Sequence, residues 1–336
     1  MANVLVSLVG NRAIPNVLLI EEFKNIIDNF IFITDKRMES EDKNRSKSII
    51  KACELDDKKT KILIVNSNAL FKIEDSLNGF GFNKNDNFFV NISSGTKLMA
   101  IAALNFFREY NSKIFFIPDF TNIYRQIYPR IENPEKEFSV NISLNKYFKA
   151  NGLSAIQIKH HIREPFESSK LMFKFIKYKG NINRLPEIKY ATKNKSTSSK
   201  EFYSGGWLEE YTYFVIKNYF NLSNKNIGLK IKVENKHTKN EYDVMFVYKN
   251  QLYIIECKAY YGKVNIKQKI EHDLYKLSSL DDEFGIRAKS IYITTFDIER
   301  NDKKENQTLV NRAKDLNVKF FQMKDLENNK FLSEIL

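Results

Sequence analysis

The sequence predicts two α/β domains in one chain, separated by a connector, and three observations carry that prediction. With 336 residues, 43% hydrophobic and 13% aromatic, the chain can bury one large core or two ordinary ones, and two is the expectation at this size. From residue 1 to about 140, short apolar runs alternate with helical periodicity, the pattern of a parallel sheet with crossover helices. From Gly205 onward a helix, a strand, a hairpin, a helix and a strand follow one another, which makes a second α/β unit.

In the first domain, residues 1–140, the expected strands are Val4 to Val9, Ile31 to Thr34, Lys61 to Val65, Phe88 to Ile92 and Lys113 to Ile117. Helix-like stretches between them imply right-handed crossovers and a Rossmann-like layered sheet, with ligands gathered at the carboxyl ends of the strands. The first apolar run is interrupted at once by Asn11 and Arg12, too early for a secretory core or a membrane span, so it reads as a buried strand. Residues 141–200 are expected to be a helical connector with a mobile basic loop. Its pieces are Leu144 to His161 and Pro165 to Lys179, both read as helical, and the Lys-, Ser- and Thr-rich stretch Ala191 to Lys200. The second domain, residues 201–336, is read as helix Trp207 to Tyr219, strand Ile227 to Glu234, hairpin Asp243 to Lys258, helix Ile266 to Leu280, strand Lys289 to Thr294 and a closing αβ piece.

Charge narrows the partners. Lys plus Arg number 54 against 41 Asp plus Glu, a formal +13, which favours a polyanion through counterion release and long-range attraction. Cys53 and Cys257 lie in unrelated segments without metal or redox spacing, so neither a disulfide framework nor a zinc site is expected, and a reducing cytoplasm fits.

The chemistry concentrates at one hairpin. If Lys249 and Asn250 form its two-residue turn, Tyr248 pairs with Gln251, and counting outward sets Asp243 opposite Glu256. Directly opposed residues lie about 5 Å apart, so two carboxylates there repel unless a cation sits between them. A divalent metal does that. Strand alternation puts Lys258 on the same side as Glu256, an ammonium beside the metal. Mg²⁺ or Mn²⁺ at such a site polarises a phosphodiester and acidifies its water, while Lys258 orients that water or stabilises the transition state. On the following helix Gln268, His272, Tyr275 and Lys276 are candidates to face the scissile phosphate, with Lys276 the foremost helper.

A second site is expected in the first domain. Strand Phe88 to Ile92 runs into Ser93-Ser94-Gly95-Thr96-Lys97, and an apolar helix begins at once. Such a turn offers backbone N–H groups, hydroxyls and one ammonium to an anion, although it lacks the glycine pattern of a P-loop. The first strand also ends in a turn, Gly10-Asn11, with Pro15 just beyond where a helix should start. Both turns follow strands of one predicted sheet and are expected to wall a single pocket for a nucleotide phosphate.

The segment Asn240-Glu241-Tyr242-Asp243, the hairpin, and Ile255-Glu256-Cys257-Lys258 resemble the PD-(D/E)xK nuclease superfamily, and Gly205-Gly206-Trp207-Leu208-Glu209-Glu210 resembles the helix that supplies a further acid there. The resemblance implies Glu209 as that acid, with Glu210 adjacent, and a metal held by Glu209, Asp243 and Glu256. The two turns of the first domain are similar to those of the CRISPR-associated Rossmann-fold sensor called CARF, with Ser94 where many members have a glycine. Leu144 to Gly152 looks like the connector of CARF proteins fused to such nucleases. Together these resemblances imply a homodimeric ancillary nuclease of type III CRISPR defence. Its sensor domains would bind a cyclic oligoadenylate, with cyclic tetra-adenylate favoured, on Gly10, Asn11, Ser93, Ser94, Gly95, Thr96 and Lys97. Binding would switch on metal-dependent cleavage of RNA or DNA by Glu209, Asp243, Glu256, Lys258 and Lys276, in the cytoplasm and away from membranes. A non-catalytic nucleic-acid-binding regulator and a ligand-independent restriction or repair nuclease are the alternative expectations.

Overall fold

The structure is a computed structural model that describes residues 1–177, 201–235, 238–260, 265–281, 284, 288–296, 303–327 and 330–336. The stretch expected as a loop, 191–200, lies outside them. The first five strands are β1 (Asn3–Leu8), β2 (Asn29–Asp35), β3 (Thr60–Val65), β4 (Asn87–Asn91) and β5 (Ser112–Phe116). Helices α1 (Ile14–Phe23), α2 (Arg45–Cys53), α3 (Leu70–Gly79) and α4 (Lys97–Phe107) are their crossovers. All five strands are mutually parallel, in the order β3-β2-β1-β4-β5. The chain therefore winds outward from β1 through β3, then crosses to the other side of β1 to lay down β4. The topological switch point falls between β1 and β4, where two adjacent strands send their connections to opposite sides and leave a crevice.

Two antiparallel strands, β6 (Ile123–Tyr128) and β7 (Glu135–Glu137), extend this sheet beyond β5 and are absent from the sequence reading. Their signal is weak for a physical reason: β7 is the exposed Glu-Lys-Glu edge of a sheet, held by backbone bonds and charge rather than by apolar burial.

A larger correction concerns Leu144 to His161, expected as one helical piece. Helix α5 (Leu144–Ala150) ends after two turns; Gly152 takes φ +78°, and Ser154–Lys159 forms strand β8. Glycine reaches that backbone region without steric cost, which ends the helix, and the residues after it alternate with period two. Strand β8 pairs with β9 (Ile227–Glu234) and so belongs to the second sheet. Helix α6 (Phe166–Lys177) follows it, within the second stretch read as helical.

The second sheet is completed by β10 (Lys239–Tyr248), β11 (Gln251–Lys258), β12 (Ala288–Thr294) and β13 (Val318–Phe321), in the order β13-β12-β11-β10-β9-β8. Helix α7 (Trp207–Tyr219) covers one face, where Trp207, Leu208 and Ile216 join Val244, Phe246, Tyr253 and Ile255 in a buried core. Helix α8 (Ile266–Asp281) covers the other, where Ile270, Leu274 and Leu277 pack with Met245, Val247, Leu252 and Ile254. The chain closes with α9 (Lys303–Asp315) and the short α10 (Met323–Glu327) and α11 (Lys330–Glu334).

The apolar core under α8 runs without a break through Tyr147 and Phe148 of α5 to α1 and α2 of the first domain. One polar residue ties the same junction. Lys249 and Asn250 both sit at positive φ, as a two-residue hairpin turn of the type that matches strand twist requires. The buried Asn250 side chain accepts from the backbone N–H of Ile142 (2.9 Å) and donates to Asn122 and to the carbonyl of Val140 (both 2.8 Å). Asn250→Gly preserves the turn and deletes these bonds, leaving buried partners unsatisfied. A stability loss of about 2 to 4 kcal/mol is expected. Thermal melting checks it, and an unchanged Tm would contradict the tether.

Candidate functional site

Strands β10 and β11 pair from Tyr248↔Gln251 to Val244↔Ile255, and the ladder stops there, with Asp243 and Glu256 the next residues outward. This end of the hairpin is unusual. In β10, Tyr242 belongs to the core beneath α8, whereas Val244, two residues on, belongs to the core beneath α7. In β9 Leu229 and Ile231 divide in the same way. The alternation of both strands breaks at Asp243 and at Lys230, whose φ is +48°. Such a kink re-aims side chains next to a site. It turns the Asp243 carboxylate so that one oxygen accepts the Cys257 backbone N–H at 2.7 Å. Lys258 lies 3.5 Å from that same oxygen and is paired with Glu256.

Helix α7 brings the third acid, and its two candidates have different surroundings. Glu210 is 1% exposed and is taken up by Arg163, accepting from its side chain (2.7 Å) and its backbone N–H (2.9 Å). Glu209 lies on the side where its charge acts on Asp243, and Lys230 is 3.3 Å away. Lys230 is also paired with Glu201, which a 2.8 Å bond joins to Arg163. A Cβ at Gly206 would overlap that guanidinium, so the glycine of the Gly-Gly pair gives Arg163 its seat.

Electrostatics follow from this crowding. Burial pushes Asp243 up to about 6, with Glu209 adding to it, and the Cys257 N–H and Lys258 opposing it. Burial, then the charge of Asp243, pushes Glu256 up to about 7. Burial also raises Glu209. Lys258 moves against its own burial: the charges of Asp243 and Glu256 outweigh desolvation and raise it. Hard carboxylate oxygens, short of positive charge, are what a hard divalent ion requires. Among the described residues, no three His, Cys, Asp or Glu side chains are gathered tightly enough to ligate one ion as they stand. The acids lean instead on Lys258 and Lys230.

Beside Lys258 a cavity of about 560 Å³ is lined by Tyr260, Asn265, Gln268, Lys269, His272 and Asp273. Gln268 and His272 thus border the site, whereas Tyr275 points away to Arg312 of α9. Lys276 is exposed one turn beyond His272, and its charge acts on Glu256. Asp273, unremarked in the sequence, accepts from the hydroxyls of Tyr260 and Tyr292 (both 3.1 Å), and its charge acts on Lys258. Lys230, Arg163, Glu201 and Asp273 all escape sequence reading, since each acquires its role from contacts distant along the chain. The Gly205-Gly206 pair is the one local hint.

In the first domain, the turns after β1 and β4 meet at the switch point. A Cβ on Gly10 would lie 2.7 Å from the backbone nitrogen of Gly95, so the two turns touch through glycine. Ser93 is buried; its hydroxyl donates to Asn91 (2.6 Å) and accepts from the Ile117 N–H (2.9 Å). The Ser94 hydroxyl donates to the Arg12 carbonyl (3.0 Å), and Thr96 caps α4 by accepting from Met99 (3.2 Å). These hydroxyls hold the turn's shape, while Gly95 at φ +77°, Lys97 and Asn11 face solvent. Lys43 reaches Asn11 at 3.3 Å. Next to them, a cavity of about 600 Å³ is lined by Thr96, Asp35, Lys36, Arg37 and Asn66 to Asn68.

Residues 4–147 match the family model of the Card1 CARF domain, and residues 196–334 match that of the Card1-like endonuclease domain. No curated protein matches the chain by sequence. Among solved structures, Can2 from Sulfobacillus thermosulfidooxidans in complex with cyclic tetra-adenylate superposes with a TM-score of 0.77 at 19% identity, covering 98% of this chain and 99% of that one. Protein VC1899 from Vibrio cholerae gives 0.76 at 17% identity, over 97% and 95%. A type III CRISPR defence DNA nuclease activated by cyclic oligoadenylate gives 0.59 at 13% identity; 88% of this chain spans 45% of that one. Likeness at these identities establishes the fold.

The raised carboxylates make a stability prediction. A folded chain that holds a proton on Glu256 up to about pH 7 binds more protons than the unfolded chain, whose glutamates release theirs near ~4.3. Stability of the metal-free protein is therefore full below that lower value and is lost as pH rises through the higher one. Glu256→Gln does not ionise. In chelator it is expected to melt a few degrees above the wild type at pH 8, with the difference closing towards pH 5. Equal melting at pH 8 would contradict the assigned crowding.

Proposed function

Because the chain joins a Card1 CARF domain to a Card1-like endonuclease domain, and so belongs with the CARF-domain nucleases, we propose that it is a metal-dependent endonuclease of type III CRISPR antiviral defence, switched on by a cyclic oligoadenylate. One observation carries the catalytic half: Asp243 and Glu256, at the same end of one hairpin, share Lys258 in a site where burial raises both acids. Partly buried like charges are retained at a cost, and positive charge at their centre relieves it.

In this reading Glu209, Asp243 and Glu256 hold Mg²⁺ or Mn²⁺, which supplies Lewis acidity towards a phosphodiester and its attacking water. Lys258, kept protonated by Asp243 and Glu256, donates to that water or to the charge developing on the phosphate. Lys276 adds positive field from α8, and the polar cavity bordered by Gln268 and His272 accommodates the neighbouring nucleotide. RNA, DNA or both are the substrates, and the net charge of +13 favours such a polyanion.

The sensor half rests on the crevice at the switch point, where Gly10 and Gly95 bring backbone close to a ligand and Lys97 supplies an ammonium. Asn11, Ser93, Ser94 and Thr96 complete that turn pair. Cyclic tetra-adenylate is the ring put forward, since the Can2 structure of the same fold contains it. A two-fold homodimer suits a symmetric ring. No helix among the described residues is long and apolar enough to cross a membrane, and the cytoplasm is the proposed location.

Cleavage assays with RNA and DNA, with and without cyclic tri-, tetra- and hexa-adenylate, under Mg²⁺ and Mn²⁺, test this reading. Glu256→Gln and Lys258→Met are each expected to lower the rate by at least about 100-fold, with oligoadenylate affinity intact. Lys97→Ala is expected to weaken activation while sparing the nuclease fold. Undiminished metal-dependent cutting by the first two variants would sink the site. Full activity without any oligoadenylate would favour a ligand-independent nuclease, and binding without cutting by the wild type a regulator.

A further inference from the structure

Lys230 sits in the middle of β9 between two buried apolar residues, Leu229 and Ile231, and is itself only 7% exposed. Its φ of +48° lies in the left-handed region, which is sterically unfavourable for a β-strand residue other than glycine. A buried lysine in a strained conformation is retained only where the surroundings over-determine it. Here they do so with charge: its ammonium pairs with Glu201 and stands 3.3 Å from Glu209. Glu201 is largely exposed and is anchored from the other side by Arg163 at 2.8 Å.

We propose that Lys230 sets the metal affinity of the nuclease site, by occupying the cation position on Glu209 from which Glu201 draws it away. This rests on the reading that Glu209 is a metal-holding acid. The ammonium and a divalent ion compete for one carboxylate, and they repel each other across a short, poorly screened distance. Lys230 lowers the affinity for metal in proportion to its share of Glu209. Glu201 raises that affinity by taking part of the ammonium's attraction. The strand kink at Lys230 and Asp243 makes this geometry possible, because it brings a residue between two core positions round to the acids. Lys230 is on this account a positioning residue for the metal, and Glu201 and Arg163 fix its balance.

Opposite signs distinguish this from a merely structural role. Isothermal titration of the full-length protein with MnCl₂ alone is expected to give several-fold tighter binding for Lys230→Gln and several-fold weaker binding for Glu201→Gln. Lys230→Arg, which keeps the charge, should stay near the wild type. Lys230→Gln binding unchanged or weaker, while Glu256→Gln abolishes binding, would overturn the proposal and leave the metal site standing. If Lys230→Gln does not fold, the exposed Glu201→Gln decides alone, and unchanged or tighter binding overturns the proposal. Wild-type protein that takes up no Mn²⁺, or a Glu256→Gln variant that binds it as well as wild type, would remove the metal-site reading and this proposal with it.

Discussion

Negative charge confined to one corner of the second sheet governs the rest of this molecule. Glu209, Asp243 and Glu256 converge where β9 and β10 kink, and burial works against the ionised form of all three. What surrounds them is a set of partial answers to that cost. The Cys257 N–H faces one Asp243 oxygen, Lys258 is drawn between Asp243 and Glu256, and Lys230 lies against Glu209. Each answer is incomplete, since the two hairpin carboxyls still stand near 6 and 7. A site that retains unpaid electrostatic repulsion is poised to accept positive charge, and a well-packed structural salt bridge is not. The same logic separates Glu210 from Glu209. Arg163 takes up Glu210 with its side chain and its backbone N–H, and the adjacent acid is left to Lys230.

The legible part of this site is the part that local rules dictate. A two-residue turn with both residues at positive φ fixes hairpin register as far as Val244↔Ile255, which brings Asp243 and Glu256 to the same end of the hairpin and aligns Lys258. The kink that aims the Asp243 carboxylate is not written in that register. The sequence signal fails where partners meet across the fold. Lys230 reads as a charge in an apolar strand and Arg163 as one more basic residue, because neither Glu201 nor Glu209 is near them in sequence. Asp273 reads as solvated helix surface until Tyr260 and Tyr292 arrive from other elements. Strand β8 was hidden for another reason. Its run is short and directly follows a genuine helix, and only Gly152 separates the two periodicities.

At the first domain the alternation of strands and helices indicated a parallel sheet but not its order. Order is what makes the pocket. With β1 and β4 adjacent, the Gly10 and Gly95 turns come into contact, and Gly10 has no room for a side chain against the Gly95 backbone. The hydroxyls that look from the sequence like ligand donors serve largely as framework: Ser93 bridges Asn91 to Ile117, and Ser94 ties one turn to the other through Arg12. Backbone and Lys97 are thus left as the groups facing outward, an arrangement suited to phosphate, which needs N–H donors and charge more than shape.

The two halves are tied through the very hairpin that carries the acids. Asn250 at its turn is bonded to Asn122, Val140 and Ile142, while Asp243 and Glu256 stand at its far end. Between them lie paired strands buried on both faces, a stiff element about 20 Å long at the usual rise per residue. Close-packed interiors move as units rather than deforming continuously. Helix α7, which brings Glu209, packs on this same hairpin through Trp207, Leu208 and Ile216, so the junction and the three acids share one close-packed element. Glu209 alone of the three stands outside the hairpin, so its place beside Asp243 depends on how α7 packs against β10 and β11 rather than on strand register.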